Sequence, residues 1–270
     1  MGIARRSRIV VATLGFTVFA ALGIFAESSA NAVEGGSVAS TAQFPWVVAV
    51  KPPLLPVSFC GGTLVAPTKV LTAGHCVDQF LAVPSLLHVV GGRDDMRSHN
   101  GVDVAVSRIW REPGFSTFTF DGETGYRNDV AVLTLSRPLP FATLPIAAPG
   151  QNDLYQPNTA ARLLGWGTTG EKKLDGGILR SAPTAVVADG QCASSASYGS
   201  TYDAGQDVCA GDFALGGVDT CEFDSGTPLV IRGVVAGVTS WGVGCGRPHF
   251  PGLYVRVATF STEISAQLTS

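Results

Sequence analysis

Charge is what this sequence has least of: charged side chains make up 14% of 270 residues, and lysine is scarce. Eighteen basic against twenty-one acidic residues leave a net charge of −3, so there is no basic footprint for nucleic acid or for an anionic membrane surface. No Cys-x-x-Cys or His-x-x-x-His spacing offers zinc a site, and no internal repeat or low-complexity segment stands out. What is present is apolar: 46% hydrophobic residues and a mean hydropathy of +0.28, which exclude intrinsic disorder. Thirty-three glycines and sixteen prolines favour many turns joining short strands, an all-β composition.

Residues 1–32 read as a targeting segment. Arg5, Arg6 and Arg8 form a positive start, Ile9 to Ala26 is an uncharged apolar run, and Ala30-Asn31-Ala32 has the small-x-small form of a cleavage site. The run is also long enough to span a bilayer, but no basic stop-transfer cluster follows, so the expectation is an exported chain without stable membrane association. Arg5-Arg6 leaves the twin-arginine route open beside the general one. Loss of this segment removes Arg5, Arg6, Arg8 and Glu27, leaving 238 residues with 15 basic and 20 acidic side chains.

All six cysteines, Cys60, Cys76, Cys192, Cys209, Cys221 and Cys245, lie in the mature part. An even count in an exported chain predicts disulfides, with fifteen pairings open. Short apolar or alternating runs bounded by Gly, Pro and Asp predict strands at 46–50, 59–65, 70–72, 87–90, 102–109 and 130–135. After a proline-rich stretch the pattern restarts at 161–166, 182–187, 208–211, 229–231, 234–241 and 253–257. Two β-rich halves follow, about 33–149 and about 150–258, with Arg232-Gly233 as a hairpin turn in the second. Phe260, Ile264 and Leu268 have helical spacing, predicting a helix over about 259–268 with Thr259 or Ser261 as its cap.

Three strings then occur in order: Thr72-Ala73-Gly74-His75-Cys76, Asn128-Asp129-Val130-Ala131-Val132-Leu133, and Asp224-Ser225-Gly226-Thr227-Pro228. Each alone is an ordinary turn or loop; together the sequence resembles the trypsin-like serine peptidases of the chymotrypsin fold, in their secreted bacterial form. The resemblance implies two packed antiparallel β-barrels and a short C-terminal helix. It also implies why the residue types belong together. A serine hydroxyl is a poor nucleophile at neutral pH and needs a base, and a base needs a group to fix its tautomer. By the resemblance Ser225 attacks, His75 moves the proton, and Asp129 orients the imidazole, with Ser240 supporting Asp129. The pairing implied is Cys60–Cys76, Cys192–Cys209 and Cys221–Cys245.

Substrate choice rests on Asp219, which the resemblance puts at the floor of the primary pocket, with Thr220, Ser240, Trp241, Gly242 and Gly252 around it. A buried carboxylate is stable only when paired, so this pocket would select Lys or Arg. Val33-Glu34-Gly35-Gly36 resembles the family's mature terminus. Its α-amino group would pair with Asp224, and the Ala32–Val33 bond is the one that removal of the leader breaks. Protein or peptide substrates and protein protease inhibitors are the implied partners, and a monomer the implied state.

Two departures bear on activity. Phe223 and Thr227 stand where the family has glycine. The oxyanion hole needs the backbone N–H groups of Phe223 and Ser225 aimed at one point, and a bulky residue in an unusual conformation costs roughly 1–3 kcal/mol. The competing reading is therefore a noncatalytic homologue that binds proteins through the same fold; an esterase is a third. No cofactor is expected. Asp94 and Asp95 lie where some relatives hold calcium, but two adjacent acids make no oxygen cage.

Overall fold

The computed structural model describes residues 1–2, 33–53, 55 and 58–270. Apart from residues 1 and 2, the targeting segment lies outside the described residues. The first half contains β1 (Ser37–Val38), β2 (Val47–Lys51), β3 (Cys60–Ala66), β4 (Lys69–Thr72), β5 (His88–Gly91), β6 (Val102–Arg111), β7 (Ser116–Phe120), β8 (Glu123–Arg127) and β9 (Ala131–Leu135). Val47, Val48, Ala49 and Val50 are buried throughout, as expected of β-branched residues in a strand covered on both faces. Six strands close into a barrel in the order β2-β3-β4-β9-β6-β5, with Val48 opposite Gly91 at the seam. Closure leaves the barrel itself without an edge strand.

The second half contains β10 (Ala160–Gly165), β11 (Arg180–Ala185), β12 (Asp207–Ala210), β13 (Pro228–Ile231), β14 (Val234–Trp241) and β15 (Gly252–Arg256). They form one sheet, β1-β11-β10-β13-β14-β15-β12, with β1 donated by the first half. The C-terminal end of β11 meets β12, through a bridge between Val186 and Ala210, a Val187 N–H bond to the Cys209 carbonyl at 2.9 Å and a Gly211 N–H bond to the Ala185 carbonyl at 3.0 Å. Arg232 (φ 49°) and Gly233 (φ 79°) make the expected turn between β13 and β14. One buried cluster runs through both halves, from Leu64, Leu71 and Leu133 to Leu163, Leu229 and Tyr254.

The helices differ from the sequence reading. A short α1 (Asp189–Cys192) was not expected. The terminal helix, α2 (Val257–Leu268), begins two residues early, so Thr259 and Ser261 are inside it and Arg256 is the cap residue. Their hydroxyls are used elsewhere: Thr259 donates to the Gly205 carbonyl at 2.5 Å and Ser261 to the Ala147 carbonyl at 2.6 Å, pinning the helix to the body. A tertiary acceptor replaced the local one. Also unexpected are β1 and the two-stranded hairpin of β7 and β8, which turns at Asp121 (φ 50°) and Gly122 (φ 82°).

Candidate active site

His75 follows β4 directly, on the segment that the Cys60–Cys76 bridge ties to β3. Asp129 precedes β9, after Asn128 turns the chain with φ 51°. From different strands of one barrel the two side chains meet: His75 Nδ1 lies 2.8 Å from Asp129 Oδ2, and the His75 backbone N–H donates to Oδ1 at 2.7 Å. Ser240, on β14 of the other half, donates its hydroxyl to Oδ2 at 2.6 Å. With 1% of its side chain exposed, Asp129 is desolvated and holds three donors, which fixes both the carboxylate and the imidazole tautomer that carries its proton on Nδ1. The Tyr126 ring stacks on the imidazole, 4.4 Å between centroids and 11° from parallel. The sequence reading missed Tyr126.

Ser225 and His75 line one cleft of about 400 Å³. Among the described residues Ser225 Oγ makes no hydrogen bond, and His75 Nε2 touches the bridged Cys76 sulfur at 3.7 Å. Such looseness is ordinary for a nucleophile and base with no substrate between them.

The two backbone N–H groups beside Ser225 are oriented by what holds the carbonyls of their own peptides. The Glu222 carbonyl accepts the Thr168 N–H at 2.9 Å, and the Asp224 carbonyl accepts both the Thr227 N–H at 3.0 Å and the Thr227 hydroxyl at 2.6 Å. In a trans peptide the N–H points away from the carbonyl. Phe223 and Ser225 therefore turn their N–H groups to the opposite side, and among the described residues neither donates to a protein acceptor. Phe223 takes the left-handed conformation, φ 74°, that glycine adopts without cost. Phe223 is 44% exposed and lines an apolar pocket of about 260 Å³ with Trp166, Leu174 and Gly176. Thr227 is fully buried: besides its bond to Asp224 it meets the Thr239 hydroxyl at 3.0 Å. Its methyl occupies space left by Gly61, where a Cβ would come within 2.3 Å of it.

Asp219 sits beneath the cleft, 2% exposed. Its carboxylate accepts the Thr220 N–H at 2.8 Å and the Gly246 N–H at 3.0 Å, and among the described residues no cation faces it. Burial pushes this carboxyl up to about 7, against the pull of those two donors, and Glu34 adds to the rise. Gly252 makes the room, since a Cβ there would fall 2.3 Å from Asp219 Oδ1. Gly242, Trp241, Thr220 and the Cys221–Cys245 bridge complete the walls, and Glu123, Glu171 and Glu222 stand around the same cleft against one Lys172. The third bridge, Cys192–Cys209, lies in a separate buried cluster with Trp241.

Asp224 is enclosed completely, accepting the Gly167 N–H at 2.7 Å and the Cys221 N–H at 3.0 Å. Burial raises it to about 7. Val33 is buried too, with φ 52°, and the backbone of its neighbour Glu34 bridges to that of Asp219. Asp94 and Asp95 are occupied by their own chain. Asp94 accepts Ser40 Oγ and both the N–H and hydroxyl of Thr41, while Asp95 holds Arg97 through its backbone N–H and two guanidinium bonds.

A six-stranded barrel and a seven-stranded sheet that bring an imidazole, a buried carboxylate and a serine to their junction define the class of serine peptidases with the chymotrypsin fold. The sequence pattern of the trypsin family matches residues 33–264. A trypsin of Saccharopolyspora erythraea is 39% identical over 238 residues, 88% of this chain and 99% of that relative. The chain belongs to the trypsin family.

Proposed function

We propose that this trypsin-like serine protease is secreted and hydrolyses peptide bonds after Lys or Arg through an acyl-enzyme. The observation that carries the specificity is Asp219: a carboxylate 2% exposed, with two N–H donors and, among the described residues, no cation, at the bottom of an open cleft. An ammonium or guanidinium from a substrate supplies the missing charge. Ser225 attacks the carbonyl that this cation positions. His75 takes the hydroxyl proton and returns it to the leaving amine, while Asp129, steadied by Ser240, stabilises the imidazolium, the division of labour established for this family's own triad. The N–H groups of Phe223 and Ser225 receive the oxyanion, a role in which a single donor is worth about 10²–10³ in kcat. The anchoring of the Glu222 carbonyl on Thr168 favours this reading over a binding module, because it leaves the Phe223 N–H free.

Activation follows from the leader. Cleavage after Ala32 creates the Val33 ammonium, which pairs with Asp224, so export alone yields the competent enzyme. Sequencing of secreted protein should begin at Val33; a start at Glu27 would contradict this step. The test of the whole is turnover of lysine and arginine esters and amides, with Ser225→Ala as control. Equal signal from the two proteins would remove the catalytic assignment, and equal rates on uncharged analogues would remove the specificity.

A further inference from the structure

The imidazole of His75 is stacked on a ring that belongs to neither the barrel nor the larger sheet. Tyr126 lies on β8, and among the described residues β7 and β8 pair only with each other. Side chains therefore set the position of this hairpin. Asn128, just past its base, donates to the Gly114 carbonyl at 2.8 Å, and Phe118 and Phe120 meet the Trp241 ring at 5.1 and 6.2 Å. The Phe115 ring lies 6.1 Å from Tyr126 and 20° from parallel, with the Arg111 guanidinium 4.5 Å over it.

Successive residues of a strand face opposite ways, so with Tyr126 turned to the imidazole its neighbour Arg127 turns to the other half of the molecule. There the guanidinium donates to Asp207 Oδ2 at 3.2 Å and to the Thr201 carbonyl at 2.5 Å, and lies 4.7 Å over the Phe118 ring. Asp207, the first residue of β12, is a prepared acceptor. Its carboxylate also takes the Asp203 N–H at 3.0 Å and faces two arginines, Arg127 and Arg256, against one further acid, Asp203. Arg256 is itself committed to Asp189 at 3.0 Å. Burial raises the Asp207 carboxyl to about 6, against the pull of the Asp203 N–H and the two arginines, so above that pH it is the anion that Arg127 pairs with.

We infer that Arg127 and Asp207 are positioning residues for the general base: their ion pair, reaching from one half of the molecule to the other, holds the Tyr126 ring against the His75 imidazole. This rests on the proposed acyl-enzyme mechanism, in which the imidazole gains a positive charge as Ser225 attacks. An aromatic face within about 6 Å of a cation attracts it. A ring stacked at 4.4 Å thus gives more to the imidazolium than to the neutral imidazole, and what it gives falls with any drift of the hairpin.

The experiment is a cycle of four full mature proteins, wild type, Asp207→Asn, Tyr126→Leu and the double variant, assayed at about pH 8 on an N-acyl arginine amide with no residue before the arginine. Asp207→Asn should lower kcat about fivefold with KM within about twofold, and the double variant should be no slower than Tyr126→Leu. Arg127→Gln breaks the same pair from its more exposed side, 25% against 9%, and should match Asp207→Asn; it decides the matter if Asp207→Asn does not fold. Wild-type kcat in either folded variant overturns the inference. So does an equal loss from Asp207→Asn with and without Tyr126, the mark of a general structural defect. In Ser225→Ala protein the His75 ring-proton resonances should move, on Asp207→Asn, toward their positions in Tyr126→Leu. Unmoved resonances overturn the inference by themselves, whereas a wild type without Ser225-dependent turnover removes the proposed function and leaves the clamp to be judged on these signals.

Discussion

The hydroxyl of Thr227 donates to the carbonyl oxygen of Asp224 at 2.6 Å, from a side chain with no solvent exposure. That bond holds the Asp224–Ser225 peptide in the orientation that frees the Ser225 N–H. A departure from the family's glycine thus reinforces the group it stood to disturb.

Thr227→Val keeps the shape and removes the donor. The expected outcome is a loss of about 1–2 kcal/mol in stability and a fall in kcat of about tenfold with KM little changed, because the bond matters most when charge develops on the oxyanion. Chemical denaturation and steady-state kinetics on one amide substrate check both.

Phe223→Gly tests whether the N–H or the ring matters. Glycine relieves roughly 1–2 kcal/mol of left-handed strain but loosens the unfolded chain by a comparable amount, so stability should stay within about 1 kcal/mol. The N–H is retained, and kcat for a small amide should remain within about threefold. Measured kcat lower by two orders of magnitude would mean that the ring itself, through Trp166 and Leu174, holds the peptide in place.

Asp219 gives a pH dependence. Burial raises its carboxyl to about 7, so below that pH the free enzyme carries a neutral acid at the pocket floor and the pairing with a substrate cation is lost. For an arginine substrate KM should rise by about tenfold or more between pH 8 and pH 5, a change absent from Asp219→Ser. Initial rates over a concentration series at each pH separate this from changes in kcat.

Asp224 gives a second, visible in the chain before cleavage. Its carboxyl is raised from the ordinary 3.8 to about 7, so between those values the folded chain keeps a proton that the unfolded chain has released. Stability then falls as pH rises through that window and levels off above it. A Ser225→Ala chain with one extra residue before Val33 should therefore melt several degrees lower at pH 8 than at pH 5, at roughly 2–4 °C per kcal/mol for this size. In the chain that begins at Val33, the proposed ion pair between the ammonium and this carboxylate should remove most of this decline. Parallel melts of the two proteins across pH 4–8 measure the difference.

Strands with their own apolar runs were legible: 234–241 matches β14 residue for residue, and Val47–Lys51 is shifted by one. The β7–β8 hairpin was not, although Asp121-Gly122 between alternating Thr and Phe is a hairpin signal. Its strands are half exposed and too short of β-branched apolar residues to register as core. The start of α2 was misjudged because Thr259 and Ser261 look like local caps, while their actual acceptors lie on segments 54 and 114 residues away.

The order of His75, Asp129 and Ser225, the even set of cysteines and the acid at 219 were settled by the sequence alone, since each depends on residue identity at a position along one chain. Two matters were decided only in three dimensions: which way the Glu222–Phe223 and Asp224–Ser225 peptides face, and where Phe118 and Phe120 come to rest. A peptide's orientation depends on the partner its carbonyl finds, and that partner for Glu222 is the N–H of Thr168, on a different loop. An aromatic ring packs wherever surface is offered, and Trp241 belongs to the other half of the molecule.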